Sequence, residues 1–239
     1  MSVARLCLAA ALLAAAAPAQ TVDEIVARYV AARGGRQALA AVTSVRMIGR
    51  AFAGPGRQAI VRREIARPGR IRTEFVFQGT TGVYVWDGSV GWRVSPLDGS
   101  LDPQPLSEDA AALSAEQADI DGPLVDWEAK GHKVELVGTA TLPGGAVHEL
   151  RLTLKSGAVR RVFVDAGTGL VVKTESTRRV RGHELVLETF YGDYRETDGV
   201  RFARSIETCA RGRPQRLRVV VESVETNPIL DQARFQVPR

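Results

Sequence analysis

The chain has 239 residues, carries a formal net charge of +5, and is 45% hydrophobic and 25% charged. This composition is typical of a globular protein and excludes a disordered one, and the length suits one large all-β domain or two small domains. The charge comes mainly from arginines scattered singly along alternating segments. With no RNA-binding aromatic signature, zinc-finger spacing or basic helix beside them, we expect no nucleic-acid partner.

Residues 1–19 have the pattern of a secretory signal peptide. Arg5 precedes an apolar run over 6–17, and Ala17-Pro18-Ala19 matches a cleavage signal. The run is too short and too rich in alanine for a membrane span. We predict cleavage after Ala19 and a soluble periplasmic protein whose residues 20–239 form a single domain.

Cleavage would also remove Cys7, which lies inside the apolar run. The remaining cysteine, Cys209, cannot form an internal disulfide. It falls in a strand pattern, which favours a buried or half-buried thiol over a nucleophile.

Two helices are predicted at the start of the mature chain. Thr21-Val-Asp-Glu24 is a capping box, and apolar residues follow it at helical spacing. Gly34-Gly35 supplies the left-handed turn that ends this helix. A short second helix is predicted from Gln37 to Val42.

From Ser44 onward the apolar period changes from 3.6 to 2, which predicts strands separated by Gly/Pro turns. The first group of strands precedes a Pro-rich loop from Pro96 to Pro105. The predicted strands are Ser44–Phe52, Gln58–Ala66, Arg70–Gln78, Val83–Asp87, Val90–Ser95, Lys133–Leu142, Val147–Lys155, Ala158–Val164, Leu170–Thr177, Leu185–Tyr191, Val200–Cys209 and Leu217–Glu225.

One short acidic stretch between the two groups of strands, Leu113–Trp127, is predicted to be helical. Ile120, Leu124 and Trp127 recur at i, i+4 and i+7. Asp119 and Asp121 are placed to cap such a helix, with proline in its first turn. We predict a helix here that either fills the core permanently or covers a cavity as a lid.

The fold class that follows is mainly β, with a few helices. Consecutive strands without βαβ alternation favour an antiparallel meander. A sheet of about eleven strands must curl or close. We therefore predict an incomplete, strongly curved antiparallel β-barrel whose concave face is covered by helices.

No catalytic constellation is evident. His132, His148 and His183 lie far apart in the sequence and outside any HExxH spacing, and no Gly-x-Ser-x-Gly motif occurs. His148 falls on the apolar face of its strand, which favours a hydrogen-bonded core histidine. We expect no enzymatic activity, no metal site and no cofactor.

Several stretches together resemble a known family. They are Val22–Gly35 followed by Leu39 and Ser44–Met47, Asp87-Gly88 with Gly91-Trp92, Ala118–Asp126 running into Lys130–Gly138, Tyr194–Val200, and Asn227-Pro228 with Phe235 and Pro238. The chain is similar in these features to exported outer-membrane lipoprotein-sorting proteins of the LolA/LolB type. The resemblance covers nearly all of the mature chain, although its motifs belong to turns and packing.

This resemblance implies an incomplete antiparallel barrel whose helices close the open side over an apolar cavity. It also implies a soluble, monomeric carrier of lipid or acylated protein, because the lipid-anchor cysteine of the receptor type is absent. The implied partners are inner- and outer-membrane lipoprotein-sorting components, with peripheral membrane contact.

An acyl chain can be held by apolar contacts alone, at about 0.8 kcal/mol per buried CH₂. The candidate ligand-binding residues are therefore apolar side chains expected on the inner strands, at the cavity mouth and on the lid. They are Phe75, Phe77, Leu150 and Leu152 on strands, Trp86 and Trp92 at the mouth, and Ile120, Leu124 and Trp127 on the lid.

Two other functional classes remain open from the sequence. A non-enzymatic envelope scaffold or partner-binding protein would have a core filled by its own helices. A hydrolase would need His132 or His148 within hydrogen-bond reach of a carboxylate in a cleft.

Overall fold

The computed structural model describes residues 20–180 and 183–237. The predicted signal peptide and Cys7 lie outside these residues. The helices are α1 (Val22–Arg33), α2 (Gly35–Ala41) and α3 (Glu108–Gln117), with 3₁₀ turns at Pro96–Asp98 and Gln232–Phe235. The strands are β1 (Ser44–Phe52), β2 (Gln58–Ala66), β3 (Arg70–Phe77), β4 (Thr80–Trp86), β5 (Gly91–Ser95), β6 (Ser100–Pro105), β7 (Lys133–Leu142), β8 (Gly145–Thr153), β9 (Val159–Asp165), β10 (Val171–Val180), β11 (His183–Thr197), β12 (Val200–Ala210) and β13 (Arg216–Thr226).

All thirteen strands belong to one antiparallel sheet in the order β6-β5-β4-β3-β2-β1-β13-β12-β11-β10-β9-β8-β7. The predicted single meander is thus two meanders joined where β1 pairs with β13. The two edge strands, β6 and β7, are consecutive in the chain. The connection between them, which contains α3, must therefore cross from one edge of the sheet to the other.

The junction between the meanders depends on a glycine. A register shift separates Ile48 from Gly49 in the pairing of β1 with β13. A Cβ atom at Gly49 would collide with the carbonyl oxygen of Val220. The close approach of these two backbones requires the absence of a side chain at this position.

The inner face of the sheet is defined here as the face that packs against α1. Helix α1 begins with the predicted capping box, in which the Glu24 amide donates to the Thr21 hydroxyl over 3.2 Å. Its apolar face is buried against residues from both meanders. The core members are Ile25, Val26, Tyr29 and Val30 of α1, with Val45, Ile65, Ile71, Leu150, Leu152, Val162, Val200 and Phe202 of the sheet.

The outer face carries a second, smaller apolar cluster under the C-terminal segment. Phe235 and Leu230 pack there on Ala66, Val85 and Trp92. The outer face is otherwise rich in ion pairs between neighbouring strands. Cys209 is buried with 6% exposure, which confirms the predicted environment of this thiol.

The predicted open, curved, mainly β architecture is confirmed, and twelve of its strands are placed within a few residues. The expected count of about eleven was too low. The thirteenth strand, β6, forms where a Pro-rich loop was expected. Pro103 and Pro105 are tolerated because β6 is an edge strand, which has a partner on one side only.

The helix predicted over Ile120–Trp127 is wrong in position. The helix in this connection is α3, ten residues earlier, where Ser107 caps the Ala110 amide. Residues 118–132 instead form a series of turns, in which Gly122 and Asp126 have positive φ angles of 80° and 52°. The apolar side chains at helical spacing still face inward: Ile120 and Leu124 are buried, and Trp127 packs against the same core.

Candidate functional site

A cavity of about 810 Å³ opens in the inner face beneath α3. Its floor is formed by apolar and aromatic side chains of the second meander, including Leu152, Leu154, Val162 and Tyr191. The lining also includes the β2–β3 turn at Arg67–Gly69 and the chain at Lys155-Ser156. This volume lies within the range of about 300–1,000 Å³ that is typical of small-molecule sites.

The roof of this larger cavity is loosely attached. Helix α3 has no buried residue, and it presents Ala112, Ala115 and Glu116 to the cavity. Both carboxylate oxygens of Glu116 accept hydrogen bonds from Arg160 on β9, at 2.6 and 2.8 Å. Arg178 lies 3.8 Å from the same carboxylate. The helix is thus connected to the sheet mainly by charge rather than by apolar packing.

The crossing segment, defined as Ala118–His132, forms the rest of the roof. Two of its acidic residues form ion pairs with basic side chains. Arg67 donates to Asp121 over 2.6 Å and to the carbonyl oxygen of Val42 over 2.8 Å. Lys130 donates to Asp119 over 2.6 Å. The predicted helix-capping role of Asp119 and Asp121 is therefore wrong, because both carboxylates form ion pairs instead.

A second cavity of about 250 Å³ lies on the other side of the crossing segment. The two cavities share part of their lining, namely Asp119, Ile120, Pro123, Val162, Thr174 and Tyr191. The lining of the smaller cavity includes the polar side chains of Tyr29, Arg33, Arg63 and Tyr194. Burial raises the pKa of the Tyr191 and Tyr194 hydroxyls above their ordinary value, so both are neutral donors at neutral pH.

Three of the nine predicted ligand-binding residues line a cavity. Ile120 lines both cavities, Leu124 lines the smaller one and Leu152 lines the larger one. Leu150 is fully buried in the same core without reaching either cavity. Trp127 packs against this core from the crossing segment.

The other four predicted residues are separated by the alternation of the strands. Phe75 and Phe77 lie on the inner side of β3 but outside both cavities, and Phe75 makes an edge-to-face contact with Tyr84 at 6.1 Å. Trp86 packs against the inner core. Trp92 pairs with Val85 and belongs to the outer cluster. Trp86 and Trp92 therefore point to opposite faces and do not stack across their hairpin.

Sequence reasoning missed the charged and small residues of the site. Ala112 preceded the predicted helical stretch and Ala115 lay in it but outside its apolar face, and Arg63, Arg67 and Arg160 looked like the other scattered arginines. The alternation of side chains along β2 could have identified Arg63 as facing the inner side of the sheet. Arg63 shares its face of β2 with buried Ile65, whereas Arg62 shares its face with Glu64.

The two histidines considered for hydrolysis make no hydrogen bond to a carboxylate in the described part of the chain. His132 Nδ1 accepts a hydrogen bond from the Lys155 amide at 3.0 Å. Burial is the larger cause that lowers the pKa of His132, and the nearby positive charge of Lys130 lowers it further. His148 is buried, as predicted, but its Nε2 atom has no hydrogen-bond partner among the described residues. The expected hydrogen bond of a core histidine is thus absent at that atom.

Within residues 20–180 and 183–237, no group of three or more His, Cys, Asp or Glu side chains is placed to hold a metal ion. No helix in those ranges is both long enough and apolar enough to cross a membrane.

Comparison with known proteins gives a result only at the level of structure. No family model matches the sequence, and no curated protein does so. A LolA-superfamily protein from Nitrosomonas europaea is 14% identical and superposes with a TM-score of 0.58, covering 91% of this chain and 99% of its own. A putative outer-membrane lipoprotein-sorting protein domain from Vibrio parahaemolyticus gives 13% identity and a TM-score of 0.57, with 90% and 97% coverage.

A DUF1329 family protein from Desulfovibrio piger is also similar, at 13% identity and a TM-score of 0.60, covering 90% of this chain and 97% of its own. At such identities the similarity concerns the fold. Together with the open curved sheet and its helical cover, these matches confirm the resemblance predicted from the sequence: the chain has the fold of the LolA superfamily.

Proposed function

We propose that this protein is a non-enzymatic carrier of the cell envelope that holds an acyl chain or similar lipid-like ligand between its sheet and the roof formed by α3 and the crossing segment. The observation that carries the proposal is the cavity of about 810 Å³, whose lining is mainly apolar on the sheet side. Apolar burial is sufficient to bind a hydrocarbon chain, because each buried CH₂ contributes about 0.8 kcal/mol.

The construction of the roof supports a carrier more than a scaffold. A scaffold whose helices fill its core would bury the helix above the sheet. Here α3 has no buried residue and rests on the Glu116–Arg160 ion pair. Within the roof, a helix held by polar contacts can open at a smaller free-energy cost than one held by a packed apolar face.

The likeness to proteins described as outer-membrane lipoprotein-sorting suggests the kind of cargo. Lipoprotein acyl chains are our first candidate, delivered between sorting components of the two membranes by a periplasmic monomer. Of the predicted residues, Ile120, Leu124 and Leu152 are the ones we retain as ligand contacts, because they line the cavities.

The first test is organic extraction of purified residues 20–239 followed by mass spectrometry. We expect lipid at a stoichiometry near one per chain. The matched variant is Ala115→Trp, which places an indole under the roof, with Leu113→Trp on the exposed side of the same helix as control. A stable wild-type protein that yields no lipid and does not bind a hydrophobic dye would contradict the carrier function.

A further inference from the structure

The inner face of β2 carries a charged residue that has no counter-charge. Arg63 pairs in register with Met47 and Thr73 and lines the smaller cavity. Its Nε atom is buried without a hydrogen-bond partner. No carboxylate in residues 20–180 and 183–237 lies within ion-pair distance of its guanidinium.

The neighbouring residues of the same strand, in contrast to Arg63, have partners of opposite charge. Arg62 and Glu64 point to the outer face, where Arg62 donates to Glu64 over 2.8 Å. Glu64 also accepts hydrogen bonds from Arg46 and Arg234, each at 3.0 Å. The charged side chains of β2 on the outer face thus have partners of opposite charge, whereas Arg63 on the inner face does not.

An arginine without a counter-charge does not become neutral by losing its proton, because the ordinary pKa of a guanidinium lies far above neutral pH. Burial lowers the pKa of Arg63, with Tyr191 acting in the opposite direction, yet the side chain stays charged at neutral pH. Arg63 is half-buried as a residue, and withdrawing part of an unpaired charge from water is unfavourable. A ligand that brings a negative charge to Arg63 would offset that cost and gain a charge-assisted hydrogen bond.

The groups around Arg63 are suited to an anion. Arg33 lines the same cavity and donates to the Tyr29 hydroxyl over 2.8 Å. The hydroxyls of Tyr191 and Thr174 lie 3.4 Å apart, and either can be the donor to the other.

Arg201 adds another positive charge to this lining, whereas two other polar groups there are already engaged. Tyr194 donates to the Val171 carbonyl over 2.8 Å. Asp119 is a carboxylate in the same lining, but Lys130 binds it at 2.6 Å. The uncompensated charge of the cavity lining is therefore positive.

We propose that the smaller cavity binds the acidic headgroup of an amphiphile through Arg63, while the hydrocarbon chain occupies the larger cavity. This inference rests on the proposed carrier function and narrows its ligand to a single-chain amphiphile with a carboxylate or similar anionic head. The shared lining at Ile120, Pro123 and Tyr191 makes the two cavities adjacent, so one ligand can reach both.

The test compares two fluorescent probes that differ only in headgroup charge: cis-parinaric acid and its methyl ester. Their binding to residues 20–239 is titrated for the wild type, Arg63→Met and Arg62→Met. We expect the wild type to bind the acid about tenfold or more tightly than the ester. Arg63→Met should abolish this preference and leave ester binding unchanged. Arg62→Met makes the same change one residue away, on the outer face, and should keep the preference.

Each other outcome has a definite meaning. Equal binding of acid and ester by the wild type would overturn the anionic headgroup and leave the carrier function standing. Retention of the acid preference in Arg63→Met would overturn the role of Arg63. Failure of the wild type to bind either probe would overturn both proposals. If Arg63→Met does not fold, Arg63→Lys keeps the charge and should retain part of the acid preference. Loss of all preference in a folded Arg63→Lys protein that still binds the ester would overturn the role of a positive charge at this position.

Discussion

Individual charged residues behave differently on the two faces of this sheet. On the outer face, Glu175 is 6% exposed and is surrounded by Lys173 at 2.8 Å, Arg161 at 2.9 Å and Arg211 at 2.6 Å. Burial alone would raise the pKa of this carboxyl, but hydrogen bonds from Lys173 and Arg211 outweigh it and lower the pKa to about 2. The folded state is therefore coupled to pH through this cluster.

This coupling predicts how acid destabilises the protein. Because the folded-state pKa of Glu175 lies below its ordinary value of 4.5, its contribution is fully present above pH 4.5 and is lost as pH falls toward 2. Glu175→Gln should lower the free energy of unfolding at pH 7 by on the order of 3 kcal/mol and flatten its decline between pH 4.5 and 2. Urea unfolding across this pH range measures both effects. The control is Glu222→Gln, which removes an exposed carboxylate paired with Arg50 and should change the free energy of unfolding little. An equal effect of the two substitutions would contradict the stabilising role of Glu175.

A second residue-scale prediction concerns Arg67, which joins three parts of the inner face. It donates to the Val42 carbonyl, the Leu39 carbonyl and Asp121 at 2.8, 3.3 and 2.6 Å. Arg67→Met should lower the free energy of unfolding by about 1–3 kcal/mol, because the carbonyl and carboxylate partners lose their donor. The matched control is Arg57→Met, at an exposed turn position. Equal unfolding midpoints for the two variants in urea would show that Arg67 does not stabilise the crossing segment.

At the scale of elements, strands were predictable and the roof was not. Apolar alternation with Gly/Pro turns placed β1 and β2 at their observed bounds, because burial on one face imposes a period of two. The spacing of Ile120, Leu124 and Trp127 predicted burial correctly but the wrong backbone. Three inward side chains can be presented by a series of turns as well as by a helix, and the left-handed Gly122 and Asp126 interrupt any helix there.

The position of α3 escaped prediction for a related reason. Its sequence, EDAAALSAEQ, has high helix propensity but no apolar face, and none of its residues is buried. Periodicity detects helices that pack against a core, whereas α3 covers an open cavity. The cavity lining likewise depends on which strands the two meanders bring together. The alternation of apolar residues along one strand does not show which other strands lie beside it.

The same feature gives an element-scale prediction. Glu116→Gln should weaken the attachment of α3 to Arg160 while leaving the sheet intact, since none of the residues of this helix is buried in the core. We expect faster hydrogen exchange of the α3 amides and faster entry and release of a bound fluorescent fatty ester, with unchanged far-UV circular dichroism.

The control for this prediction is Glu108→Gln, an exposed residue in the first turn of the same helix. It should leave α3 exchange and ligand kinetics close to those of the wild type. If Glu116→Gln exchanges at the rate of the wild type, then α3 is fixed by contacts other than the Arg160 ion pair and is not a moving roof.

At the scale of the whole molecule, the sheet leaves a gap that its own chain spans. Strands β6 and β7 are the two edges, and the connection between them runs across the inner face as α3 and the crossing segment. Full pairing of these edges would close the barrel. The open arrangement keeps space beneath α3, while the crossing segment contributes Ile120 and Leu124 to the core around α1. Because α3 has no buried residue, its opening alone would leave that core intact.

A finite cavity in a rigid sheet predicts a limit on ligand length. For saturated fatty acid methyl esters of increasing length, binding should strengthen by up to about 0.8 kcal/mol for each CH₂ that enters the cavity and then stop improving. The same series should raise the thermal midpoint, because a ligand at one hundred times its Kd stabilises the folded state by about 2.7 kcal/mol. Ala115→Trp occupies part of the space under α3 and should shift the plateau to shorter chains, whereas Leu113→Trp should not. Affinity that rises without a plateau, or a plateau unmoved by Ala115→Trp, would place the hydrocarbon outside this cavity and would require a different surface for the ligand.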